Sequence, residues 1–156
     1  IDLWNSNLES EYLTEHQANA NRRWLGICYY KNQDLENSKI ILNQLYKQSK
    51  LSNFSRGVIS STIYLCLIDY KEKEFDAGFE KIEEAMPIAR EILTELRPWG
   101  TAICELSYLR GVYYFKEKKY DMARLDLEKS KEEFYRLGKP KKVTEIETML
   151  VEIYSK

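Results

Sequence analysis

Side chains able to do covalent or metal chemistry are sparse in this chain. There is one histidine, His16, and three cysteines, Cys28, Cys66 and Cys104. A nucleophile–His–Asp relay would have to use that one imidazole, and a multi-His metal site cannot be assembled at all. The sequence has no CxxC, no GxGxxG and no phosphate-cradling P-loop. Carboxylates are numerous, as in EKIEE (80–84) and EKSKEE (128–133). They interleave with Lys at spacings that suit solvated helix faces and i,i+4 pairs, so no two are singled out for acid–base work. The expectation is a chain that is not an enzyme and that carries no cofactor and no metal.

What does recur is a cation beside an aromatic ring. Tyr30-Lys31, Tyr70-Lys71 and Phe115-Lys116 are each followed, after three mostly polar residues, by a large apolar one: Leu35, Phe75 and Tyr120. Such a column could attract carboxylates along a greasy groove. Each Lys also stands where a helix should end, and a cation there meets the C-terminal dipole favourably. The second role by itself would explain the three lysines.

The elements that must position these residues are helices. The 156 residues include only 6 Gly and 3 Pro, with 44% hydrophobic and 31% charged residues. That composition supports a core with a solvated surface and few turns. The formal net charge of −1 gives no basic face for nucleic acid. GKPKK (138–142) reads as a solvated turn. No run of about 18 apolar residues is present, so no membrane span is expected. Three widely spaced cysteines read as reduced, buried thiols of a cytoplasmic protein. Because the chain begins with Ile1, it reads as a piece of a longer protein with a partner domain upstream.

Apolar periodicity gives three helix pairs, about 15–50, 54–96 and 98–137, then a last helix over 140–155 whose stripe is Val143, Ile146, Leu150 and Ile153. Asp34 is an expected N-cap and Gly138 a left-handed C-cap, with Pro140 beyond it. Pro98 suits a helix start. Pro87 should kink its helix rather than end it, because apolar spacing continues through Ile88, Ile92 and Leu93. Small residues fall at matching places: Gly26, Cys66 and Gly111 four residues before each motif aromatic, and Ser38, Gly78 and Ala123 three residues into each second helix. Small residues on both partners let two axes come close. Tyr29 and Tyr114 lie one turn beyond their Gly, where the second pair has Asp69.

WLGICYY…DLENS and LRGVYYF…YDMA resemble the tetratricopeptide repeat, with a small residue, an aromatic one turn on, then a second helix with aromatic and small positions. The resemblance covers nearly the whole chain. It implies an all-α right-handed α-solenoid of three helix pairs plus a C-terminal capping helix. The steps of 40 and 45 residues between motifs exceed the family's usual length of about 34 and are similar to units of bacterial peptide-pheromone regulators. The implied function is protein or short-peptide binding. Alternatives are a peptide-sensing regulatory domain and a structural segment that self-associates as a homodimer.

In such solenoids first helices line the concave face. The ligand-binding set implied here is Arg23, Ile27, Tyr30 and Lys31, then Ile63, Leu67, Tyr70 and Lys71, then Tyr108, Val112, Phe115 and Lys116. Packing between neighbouring first helices also claims Tyr30, Tyr70 and Phe115, which leaves Arg23, Ile27, Leu67, Tyr108 and Val112 as the better ligand contacts. The family's clamp for acidic chaperone tails uses Lys, Arg and Asn; Ile27, Leu67 and Val112 stand here instead, so a more hydrophobic or extended peptide is expected.

Overall fold

The computed structural model describes residues 14–72, 76–95 and 100–156. These form seven helices and no strand: α1 (Glu15–Lys31), α2 (Leu35–Leu51), α3 (Ser55–Glu72), α4 (Asp76–Glu95), α5 (Gly100–Lys116), α6 (Tyr120–Arg136) and α7 (Pro140–Tyr154). The all-α expectation holds. Phe75 and Pro98 lie outside the described residues, as do the side chains of Ile92 and Leu93. Two compact units are present, divided between Ile88 and Ala89. Helix α4 runs through Pro87 rather than ending at it.

Several helix ends have a local reason among the described residues. Thr14 and Gln17 form a capping box at the start of α1: Gln17 N–H donates to Thr14 Oγ1 at 3.3 Å and Thr14 N–H to Gln17 Oε1 at 3.0 Å. Asp34 caps α2 by accepting from Asn37 N–H at 3.2 Å. The α6 end is a Schellman turn, with Gly138 at φ 64°, Gly138 N–H on Tyr135 O at 3.1 Å and Lys139 N–H on Phe134 O at 3.0 Å. The same hydrogen bonds close α1 around Gln33 (φ 63°) and α5 around Lys118 (φ 57°). There the last residue of the turn is also the N-cap of the next helix, Asp34 for α2 and Lys119 for α6. This shared turn is what the first and third Tyr/Phe-Lys motifs encode. Its carbonyl acceptors belong to Tyr29 and Tyr30, then Tyr114 and Phe115.

Within the first unit the small residues meet in one register. Ser38 Oγ donates to Gly26 O at 2.9 Å, and the Cys66 thiol donates to Gly78 O at 3.4 Å; both partners are 12 residues apart. The donor has moved from the second helix to the first, yet the close approach survives. A Cβ on Gly26 would lie 2.7 Å from Leu42 Cδ2, and one on Gly78 would lie 2.8 Å from Cys66 Sγ. In the second unit a Cβ on Gly111 would lie 2.9 Å from Leu127 Cγ, and Ala123 is fully buried. The pairing of small residues across each helix pair therefore holds for Gly26 with Ser38 and Cys66 with Gly78.

The first unit's core gathers Leu42, Leu45, Leu65 and Ile68, with Tyr30, Leu35 and Tyr64 packed against them. Helix α3 packs on both α1 and α2. Helix α2 reaches α4 through Tyr46 and Lys50, which hold Glu84; the Lys50–Glu84 ion pair is 2.8 Å. First helix thus meets first helix, and second meets second, between these two pairs. In the second unit α6 packs on α5 and α7. Ile146, Leu150 and Ile153 of the expected α7 stripe are buried, while Val143 is half-buried.

Candidate functional site

The twelve residues expected to contact a ligand divide by burial. Ile27, Tyr108 and Val112 are 4%, 1% and 2% exposed. They are core side chains, and three of the five contacts favoured from sequence are therefore closed to a ligand in this structure. Tyr108 stacks edge-on against Phe134, with ring centroids 5.8 Å apart, and Lys142 Nζ lies 3.9 Å over its face. The ring quadrupole holds a cation there that sequence spacing did not connect to it.

Arg23 is half-buried and bridges helices rather than projecting outward. Its Nε donates to Ser60 Oγ of α3 at 2.7 Å, and its guanidinium lies 4.8 Å from the Trp24 ring centroid. Burial lowers its pKa, and neighbouring Arg56 adds to that. Tyr30 packs edge-on against Tyr64 of α3 at 5.2 Å. Both contacts tie first helix to first helix, which is the inter-pair packing role that competed with ligand binding for Tyr30.

The three lysines all occupy the last turn of their helices, α1, α3 and α5, where the carbonyl ends favour a cation. All three are exposed. Lys71 Nζ lies 4.5 Å over the Tyr30 ring and donates to Gln33 Oε1 at 3.0 Å. It pins α3 to the shared turn that follows α1. Lys31 makes no such contact among the described residues.

Three of the twelve form a partly open strip on α3 of the first unit. Ile63 and Leu67 are half-buried and Tyr70 is 37% exposed. They follow one another at i, i+4 and i+7 on a single face. Exposed Trp24 and Lys31 stand on α1. On the second unit Phe115 is half-buried, 6.2 Å from the Tyr120 ring, and Lys116 is exposed.

Asp69, where the other pairs have Tyr, is 5% exposed. Burial raises its pKa, and Lys39, 3.5 Å away, opposes that shift. The buried Cys66 and Cys104 thiols are pushed up to about 12, chiefly by burial, so they stay protonated and behave as small apolar groups. Cys28 is half-buried. His16 is exposed and packs edge-on against Phe54 at 4.7 Å. No cluster of three His, Cys, Asp or Glu side chains that could hold a metal occurs among the described residues. No helix among them is long and apolar enough to cross a membrane.

Sequence reasoning missed Ser60, Tyr64 and Trp24. Ser60 and Tyr64 lie on the α3 turn that faces α1, and only the docking of the two helices selects them. The Thr14–Gln17 capping box was missed as well, although Thr-x-x-Gln before a helical run is its signature. No protein-family model, curated protein or solved structure matches the chain.

Proposed function

We propose that the chain is a non-enzymatic module that binds a peptide or protein segment, built as a right-handed solenoid of tetratricopeptide-like helix pairs. The observation that carries this reading is the open strip Ile63, Leu67 and Tyr70 on α3, with Lys31 and Lys71 exposed at helix ends. An apolar face at i, i+4 and i+7 bordered by cations suits an extended segment with apolar and acidic residues. The packing of α1 on α3 in the first unit, with α2 tied to α4 through Glu84, supports the repeat arrangement.

Panning a display library of random dodecapeptides tests this reading. Enrichment of peptides that mix apolar and acidic residues is expected. Their binding, followed by fluorescence anisotropy, should fall at least tenfold in a Lys31→Glu, Tyr70→Ser variant of unchanged helicity. An enriched set no different from that on an unrelated helical protein, or binding indifferent to the variant, refutes it.

A second reading, self-association, draws on the end helices. Leu125 and Tyr135 of α6 and Val151 and Tyr154 of α7 are 61–78% exposed. A mass that rises with concentration in sedimentation equilibrium, and falls back in Leu125→Ser, Val151→Ser, is its expected signature. A monomer throughout removes it.

A further inference from the structure

A cavity of about 440 Å³ lies in the second unit, lined by Arg90 of α4, by Ile103, Cys104 and Ser107 of α5, and by Lys129, Ser130 and Glu133 of α6. It shares no residue with the α3 strip, so it stands independently of the peptide-binding reading. Its volume falls within the range of roughly 300–1,000 Å³ usual for small-molecule sites.

The polar groups around it divide into those already satisfied and those left over. Ser130 Oγ donates to Asp126 O at 2.8 Å and reaches Cys104 O at 3.3 Å. Glu133 accepts from Arg136 at 2.9 Å, so its charge is answered on the protein. Arg90 and Lys129 are exposed and have no ion pair among the described residues. Ser107 lines the cavity, and its hydroxyl has no hydrogen-bond partner among the described residues. The rest of the wall is apolar: half-buried Ile103 and the Cys104 thiol, which stays protonated.

Two unanswered cations, one unanswered hydroxyl and an apolar wall describe their own complement. We propose that this cavity binds a carboxylate carried on a short apolar body. The guanidinium of Arg90 offers a planar fork that matches two carboxylate oxygens, Lys129 adds a point charge, and Ser107 supplies a neutral donor. The apolar body would cover Ile103 and Cys104. A free alkyl carboxylate and the C-terminal residue of a peptide share this chemistry.

The test is a titration of the ¹⁵N-labelled full chain, followed by amide shifts, with sodium octanoate as probe. Octanol, octyl phosphate, N-acetyl-leucine and N-acetyl-leucinamide serve as comparisons. Octanoate should give saturable shifts confined to residues 103–107 and 129–133, with a Kd of about 1 mM or tighter. Octanol should bind about tenfold more weakly or not at all. N-acetyl-leucine binding in preference to its amide would place the natural source at a peptide C-terminus; octanoate alone would place it with a free acid. The Arg90→Gln, Lys129→Gln variant changes exposed side chains, so the fold should stand, and it should lose octanoate about tenfold or more. Ser107→Ala should weaken octanoate without affecting octanol. The proposal is overturned by an absence of saturable shifts, by octanol matching octanoate, by tighter binding of octyl phosphate, or by a variant that binds as the parent does.

Discussion

Replacing Gly26 by Ala probes the close approach on which the first helix pair is built. The new Cβ would stand 2.7 Å from Leu42 Cδ2 and 2.8 Å from Leu42 Cγ, well inside van der Waals contact. Leu42 is itself fully buried, so it has no solvent to swing into. Overpacking of this kind costs about 1–3 kcal/mol. Against it stands the helix-propensity gain of Gly to Ala, about 1 kcal/mol. The two nearly balance at the low end, so the expected net loss is about 0–2 kcal/mol, read from urea unfolding followed by helical circular dichroism. A double variant separates the terms. Leu42→Ala alone leaves a cavity and should cost about 2–5 kcal/mol. Combined with Gly26→Ala it should cost less than the sum by about 1 kcal/mol or more, because the added methyl then occupies vacated space. A Gly26→Ala protein more stable than the parent, or strictly additive effects in the double variant, would refute the reasoning. Gly111→Ala should behave alike, since its Cβ would lie 2.9 Å from Leu127 Cγ.

Other consequences follow from local geometry and charge. Lys118 sits at φ 57° in an exposed turn, a conformation that costs a side chain about 1–2 kcal/mol; Lys118→Gly should stabilise by up to about 1 kcal/mol after its unfolded-state entropy is counted, and a loss of stability would speak against that turn. Arg110 grips Asp126 with two hydrogen bonds, 2.6 and 2.9 Å, at a mostly buried position; Asp126→Ala removes both and should cost about 1.5–3 kcal/mol, and a cost below about 1 kcal/mol would show the pair is dispensable. Asp69 has a raised pKa, so its contribution to stability is fully present below the ordinary carboxyl range and is lost as pH rises through the folded-state value. Asp69→Asn mimics the protonated form, and it should unfold at a higher temperature than the parent at pH 7, the gap closing on acidification. A variant less stable at pH 7 would mean that Lys39 outweighs burial.

The helices, their ends and the packing register within pairs were legible in the amino acids. Asp34, Gly138 and the first and third Tyr/Phe-Lys motifs act through bonds between residues near in sequence, so their spacing encodes them directly. The small residues at Gly26 with Ser38 and Cys66 with Gly78 could be read too, because both pairs stand at the same offset of 12 residues. Spacing also placed Lys31, Lys71 and Lys116 at helix ends.

Which apolar face would be closed and which open was decided only by tertiary structure. Helices α1, α3 and α5 carry apolar residues on more than one face, so periodicity alone cannot rank Ile27, Tyr108 and Val112 against Ile63, Leu67 and Tyr70. The first three became core and the second three stayed partly open because helices distant in sequence dock on some faces and not on others. Arg23 meets Ser60 across 37 residues, and Lys71 meets Gln33 across 38. The cavity beside Ser107 gathers side chains from α4, α5 and α6. Sequence carries the propensity of each segment; burial, unanswered charge and empty volume are properties of the space between segments, and they exist only once the helices have packed.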